Sequence, residues 1–268
     1  MHIRRLLFQQ SAGFGYHLML TSTKNNSDEL LLLDSPISSV FSTSRVRQTQ
    51  HIHPIHRENG YNPPLRSWFL DVCSCDGILL FTVDHHLPLL WNPSIRKFNK
   101  LPPLDKNHRL RDPFPSYSFY SFGYDHFIDN YKVIVISFVG KRINEVRVYT
   151  LGTDFWRRIK DLPSSHRFRG SGMFLSGTVN WLAYDDSNGY KLRVIGSLDL
   201  EKESYQKLST LYSEKDYWTL GIFRDCLCFS VCSFNLIMDF WIMKEYKNKE
   251  SWTKLCNVNV SYVGDWGQ

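Results

Sequence analysis

Short apolar runs of strand length, separated by polar turns, recur along the chain from Trp68 onward. Each unit opens with an apolar strand pair around a tight turn and continues into a second pair that carries an aromatic residue. Unit one runs from Cys75 to Phe81, then Leu90 to Phe98, and closes at Leu101-Pro102. Unit two holds Phe122 to Asp125, Tyr131 to Ile136, Val146 to Tyr149 and Trp156, and closes at Leu162-Pro163. Unit three holds Gly172 to Leu175, Val179 to Ala183 and Val194 to Leu200, and closes at Lys207-Leu208. Unit four holds Leu220 to Phe223, Cys226 to Val231 and Met238 to Met243, and closes at Trp252 to Leu255. The closing leucines are spaced by 61, 46 and 47 residues. Units of four short strands at about this period mark β-propeller blades, which bury their faces only by stacking on neighbours.

The strand patterns differ in an informative way. Val133 to Val139 is almost continuously apolar, as expected for an inner strand covered on both faces. Val146-Arg147-Val148-Tyr149 alternates, as expected nearer a rim. Glu201-Lys202-Glu203 reads as a tight turn, and no segment keeps a 3.6-residue apolar period over a full helix. Upstream, His17 to Thr21 and Leu30 to Leu33 flank a polar turn and predict a hairpin. The predicted organisation is a remnant at 1–16, a hairpin at 17–35, a polar loop with at most one edge strand at 36–67, and a propeller over 68–268. The predicted fold is all-β: an incomplete propeller of antiparallel four-stranded blades, ending barely into a fifth unit.

Composition agrees with strands. Of the 268 residues, 15% are aromatic, and such side chains suit a pleated, half-buried surface. A net charge of +6 without a charged block argues against a polyionic tail. No apolar run approaches the ~20 residues that cross a bilayer, and the apolar stretch after Arg4-Arg5 is too short for a signal peptide. The expected setting is therefore intracellular, cytoplasmic or nuclear, with Cys73, Cys75, Cys226, Cys228, Cys232 and Cys256 as reduced thiols.

The motifs carried by these strands resemble the plant F-box-associated interaction domain of the kelch-like class. They run in family order: S-C-D-G-I-L-L-F at 74–81, L-W-N-P-S-I-R-K-F at 90–98, F-G-Y-D at 122–125 and Y-K-V at 131–133. They continue with V-Y-T-L at 148–151, W-R-R-I at 156–159, V-N-W-L-A at 179–183 and S-L-D-L-E-K-E-S-Y at 197–205. D-C-L-C at 225–228, W-I-M-K-E-Y at 241–246 and S-W-T-K-L at 251–255 complete the series. The resemblance implies a module that captures a target protein for an SCF-type ubiquitin ligase. Residues 1–16 leave no room for the helical F-box that docks on the cullin adaptor, so adaptor binding is not expected of this chain. The expectation is a truncated, F-box-less member; a nucleic-acid-binding β-domain and a non-functional gene fragment are the alternatives.

Candidate chemistry is sparse. Cys73-x-Cys75 and Cys226-x-Cys228 have the wrong spacing for structural zinc and place both thiols on one strand face. His51-x-His53 with His56, and His85-His86, lack further ligands and read as solvated loops. Frames for a serine nucleophile, a zinc protease helix or a phosphate loop are absent, so neither an enzyme nor a cofactor is expected. Trp91, Trp181 and Trp241 read as blade-to-blade core. Trp156-Arg157-Arg158 and His166-Arg167-Phe168-Arg169 interleave bases with aromatics, which suits nucleic acid or an acidic partner protein. Segments 105–117, 140–145, 164–171 and 184–190 read as loops free of core duty. The candidate partner-binding residues are His166, Arg167, Phe168 and Arg169, with Asp185 and Asp186 as solvated acids on a turn.

Overall fold

The computed structural model of the chain describes residues 3–11, 15–23, 30–36, 49–52, 72–83, 87–92, 94–95, 97–104, 118–139, 143–187, 189, 192–209, 217–232 and 237–259. Among them the structure is strand and turn, with one 3-10 turn at Lys249–Ser251.

The four repeat units become four antiparallel sheets, each a meander in chain order. Blade II is β5 (Val72–Cys75), β6 (Ile78–Val83), β7 (Leu87–Asn92) and β8 (Lys97–Lys100). Blade III is β9 (Ser118–Asp125), β10 (Asn130–Val139), β11 (Ile143–Thr150) and β12 (Arg157–Arg158). Blade IV is β13 (His166–Leu175), β14 (Thr178–Asp185), β15 (Leu192–Asp199) and β16 (Ser204–Ser209). Blade V is β17 (Tyr217–Phe223), β18 (Cys226–Cys232), β19 (Ile237–Met243) and β20 (Trp252–Asn259).

Blade I departs from the sequence reading. The expected hairpin is the middle of a fifth four-stranded sheet, β1 (Ile3–Ser11), β2 (Gly15–Thr23), β3 (Leu30–Pro36) and β4 (Thr49–Ile52). A strand thus runs from Ile3 to Ser11 within 1–16, taken above as a remnant, where Arg4-Arg5 and Gln9-Gln10 hide any alternation. The edge strand allowed within 36–67 is β4, paired to β3. Among the described residues no strand pairing joins blade I to blade V, so the sheets form no closed ring there.

The blades stack through their faces, and strand parity decides which face meets which neighbour. On β10, Val133 and Val135 join Cys73, Leu80, Leu90, Tyr120 and Phe122 in the seam between blades II and III. Ile134 and Ile136, one residue out of phase, join Val179, Trp181, Ala183, Val194 and Leu198 in the seam between III and IV. That explains the continuous apolar run: successive side chains alternate faces, and both are covered. Ile195 and Leu175 turn the other way, onto Leu227, Phe229, Met243 and Trp252 of blade V.

Polar bonds lock these seams. Trp181 Nε1 and the Gly172 N–H both donate to Ser121 Oγ across the III–IV seam, at 2.9 and 2.8 Å. A Cβ at Gly172 would lie 2.6 Å from the Trp181 indole, so only glycine lets that ring reach Ser121. Buried Lys132 pairs with Asp125 at 2.7 Å, donates to the Leu200 carbonyl at 2.7 Å and reaches Glu203 at 3.3 Å. Tyr246 of blade V hydrogen-bonds Asn180 at 2.8 Å and Ser197 at 3.1 Å in blade IV, and also Thr178.

Candidate functional site

Turns 76–77, 126–129, 151–156, 176–177, 200–203 and 224–225 share one end of the strands, the turn face. The β12–β13 and β14–β15 connections, with the candidate residues, lie at the other end, the loop face. Of the expected loops, 105–117 and 140–142 lie outside the described residues, whereas Ile143 begins β11 and Asn144 and Glu145 are buried.

Segment 164–171 is mostly strand, not loop. His166 opens β13 and pairs with Asp185, while Arg167 faces Tyr184, Phe168 faces Ala183 and Arg169 faces Leu182. His-Arg-Phe-Arg is a period-two strand pattern, and Gly170 at φ +68 inside a register shift gives the segment its loop-like composition. Parity splits the four candidates. His166 and Phe168 are buried in the seam toward blade III, so they are unavailable to a partner. Arg167 is half-buried and Arg169 exposed on the opposite face.

Asp185 also departs from expectation. It is 3% exposed rather than solvated, while Asp186 beside it is exposed. Lys207 Nζ lies 2.9 Å from its carboxylate, the Ser187 N–H donates at 3.0 Å, and His166 Nε2 sits 3.7 Å away. Burial alone would raise the Asp185 pKa, but the bonds from Lys207 and Ser187 hold it well below the usual carboxylate range. Burial lowers the His166 pKa, with Asp185 pulling the other way. The ring stacks on Phe168 and meets Tyr205 edge-on, while its Nε2 and the Tyr205 hydroxyl find no hydrogen-bond partner among the described residues. Burial pushes the Tyr205 phenol up. This group is a polar plug in the seam.

The face of blade IV turned toward blade V carries a different arrangement at its loop end. The Tyr184 ring lies under two guanidiniums, Arg169 at 5.0 Å and Arg193 at 5.6 Å from its centroid. Arg167 is directly opposite Tyr184 on β13, and its Nε lies 3.9 Å from Asp186. Cation–π contacts of this kind contribute ~0.5–1 kcal/mol at exposed sites and fix the orientation of the guanidinium. Tyr184 and Arg193 were missing from the sequence-derived set. The signal for them is register: Arg167, Tyr184 and Arg193 are successive cross-strand partners. The result is a ledge of three arginines around one aromatic ring.

The second basic strip is spent internally. Arg157 forks onto Glu203 of blade IV, which that hydrogen bond holds below its ordinary pKa. Arg158 pairs with Asp161 at 2.7 Å and reaches Glu145 at 3.4 Å. Trp156 Nε1 donates to the Pro102 carbonyl at 2.9 Å. The cysteine pairs serve packing: Cys73 and Cys75 are buried between blades II and III, and burial pushes the Cys75 thiol up. Trp91 and Trp181 are fully buried and Trp241 is half-buried. His53, His56, His85 and His86 lie outside the described residues. Among the described residues no three metal-ligating side chains converge, and no helix is long and apolar enough to cross a membrane.

A family model described as the F-box associated beta propeller domain matches residues 28–264. An F-box/kelch-repeat protein of Arabidopsis thaliana is 29% identical over 202 residues, covering 72% of this chain and 54% of that protein. The F-box protein CPR1 of the same plant is 27% identical over 197 residues, covering 63% and 47%. The chain thus spans about half the length of the curated relatives it matches. Among solved structures, an oligogalacturonate lyase in complex with manganese superposes with a TM-score of 0.50 over 96% of this chain and 74% of the lyase. At 11% identity that likeness concerns the fold alone.

Proposed function

Because the chain belongs to the family of F-box-associated β-propeller domains, we propose that it is a protein-capture module, not an enzyme, of the kind that presents a target to an SCF-type ubiquitin ligase. The observation that carries this reading is the Arg167–Arg169–Tyr184–Arg193 ledge at the loop face of blade IV. Arg169 is exposed, its guanidinium is held over the ring, and the bidentate geometry of arginine suits carboxylates. The expected partner is a protein segment rich in Asp or Glu. Nucleic acid, the other chemistry that arginine and tyrosine accommodate, is disfavoured because Arg157 and Arg158 are already neutralised within the chain.

The test is selection of a random-sequence peptide library on the full chain and on its Arg169→Glu variant. Enrichment of acidic peptides by the parent, lost in Arg169→Glu with the circular dichroism unchanged, is the expected outcome. Acidic enrichment that survives Arg169→Glu removes the ledge from the interface. Retention of single-stranded RNA, weakened by Arg169→Glu and falling steeply with salt, supports the nucleic-acid reading instead.

A further inference from the structure

The turn face carries large apolar side chains that the fold does not use. Phe127 is 77% exposed and Ile128 43% exposed in the turn between β9 and β10, and Phe155 is 62% exposed in the turn between β11 and β12. All three belong to blade III. Scattered exposed apolar residues are ordinary, but three at one end of one blade are a patch.

These turns are rigid. The Phe127 N–H donates to Asp125 Oδ1 at 2.9 Å, and Asp125 is itself fixed by buried Lys132 at 2.7 Å. Asp129 adopts the left-handed region at φ 50 and accepts a hydrogen bond from the Tyr124 hydroxyl. The second turn is tied to the first, because Asn130 Nδ2 donates to the Leu151 carbonyl at 3.0 Å and the Leu151 N–H donates to Tyr131 O at 3.0 Å. Thr153 closes it onto the Thr150 carbonyl through both its N–H and its hydroxyl. Aromatic side chains on pre-ordered turns lose little entropy on docking, which is what makes them anchors in interfaces.

The charge around the patch is acidic. Asp129 and Asp154 are exposed in the same two turns, and Asp76 of the neighbouring blade II turn is exposed and accepts from the Tyr131 hydroxyl at 3.2 Å. Glu201 is exposed in the facing turn of blade IV. Of the bases at this end, Arg157 is held by Glu203, and Arg224, Lys244, Lys247 and Lys249 belong to the turns of blade V, which leaves Lys202 and His126 beside the acids. We propose that the Phe127–Ile128–Phe155 patch is a second docking surface, and that its occupant is a protein segment combining apolar side chains with Lys or Arg. The module then has two recognition poles of opposite chemistry: an arginine ledge at the loop face of blade IV and an acid-rimmed apolar patch at the turn face of blade III. The second does not rest on the first, since they share no residue.

The experiment uses the full chain, the Phe127→Ser/Phe155→Ser double variant, Asp154→Lys and Arg169→Glu, each selecting from one random-sequence peptide library. The expected result is a class of peptides with Lys or Arg beside aliphatic or aromatic residues. Their affinity drops at least about tenfold in the double variant and drops again in Asp154→Lys, while Arg169→Glu leaves it unchanged. These side chains are exposed, so the variants keep the parent's circular dichroism; if the double variant does not, Asp154→Lys alone decides. A selection with no peptides sensitive to Phe127 and Phe155, or with acidic ones in that class, overturns the proposal. So does sedimentation showing that the patch pairs two copies of this chain. Failure of the ledge reads out separately, as loss of the class sensitive to Arg169→Glu.

Discussion

Replacing Lys132 with Met tests whether the III–IV seam depends on its buried cation. Lys132 is 5% exposed and Asp125 2% exposed, so neither charge is offset by solvent. Met keeps the length of the aliphatic stem but removes the ammonium from three partners: Asp125, the Leu200 carbonyl and Glu203. Glu203 retains Arg157, so its loss is small. Asp125 becomes a buried carboxylate with no counter-charge, which costs about 3–5 kcal/mol when one partner of a buried pair is deleted. That is a large part of the ~5–15 kcal/mol of a whole domain. The companion variant, Asp125→Asn/Lys132→Met, removes both charges. The amide oxygen introduced by Asp125→Asn can still accept the Phe127 N–H, so what remains is mainly the orphaned Leu200 carbonyl, about 1–3 kcal/mol. The double variant should therefore be more stable than Lys132→Met alone. Urea unfolding followed by tryptophan fluorescence reads this directly, because Trp181 sits in the same seam. A Lys132→Met cost under about 1 kcal/mol, or a double variant as unstable as the sum of the singles, would refute the reasoning.

Two further outcomes follow from the seams of blade IV. Tyr246→Phe deletes a hydroxyl bonded to Thr178, Asn180 and Ser197, so it should cost about 1–2 kcal/mol and speed hydrogen exchange in blade V while leaving β9 and β10 of blade III unchanged. Burial holds the folded His166 below its ordinary 6.5, so just below that pH the unfolded chain binds more protons and stability rises with pH. Melting temperature should therefore fall from about pH 7 to pH 5, and His166→Asn should flatten that slope. Asp185 does not mask the effect, because its depressed folded pKa confines its contribution to more acid pH.

The repeat from Val72 onward was legible because its strands must bury both faces. A run such as Val133 to Ile136 has few other uses, and it splits as its period demands, odd residues to blade II and even residues to blade IV. Blade I was half legible. Its central pair carries the Leu-rich runs around an Asn-containing segment, but β1 reads Ile-Arg-Arg-Leu-Leu-Phe-Gln-Gln-Ser and β4 is only Thr-Gln-His-Ile. Neither has the alternation that identifies a strand alone; pairing defines them. Asp185 failed for a related reason. Adjacent acids in sequence look equally solvated, yet a strand turns them to opposite sides, and the end of β14 puts one in the seam beside Lys207.

Surfaces of recognition are harder to read than seams because they are assembled across strands. Arg169, Tyr184 and Arg193 are far apart in sequence and meet only through the register of β13, β14 and β15. The same logic separates them from His166 and Phe168, their sequence neighbours, which parity commits to packing. Stacking consumes both faces of the central strands, so the seams leave variation to strand ends and turns. A turn side chain such as Phe127 escapes the packing that constrains Phe122, five residues earlier on β9 and fully buried. Each blade therefore offers two ends, and a chain stacked this way can carry opposite chemistry on them without disturbing the core: arginines where β13 and β14 meet the loop face, acids and phenylalanines where β9 and β10 turn back.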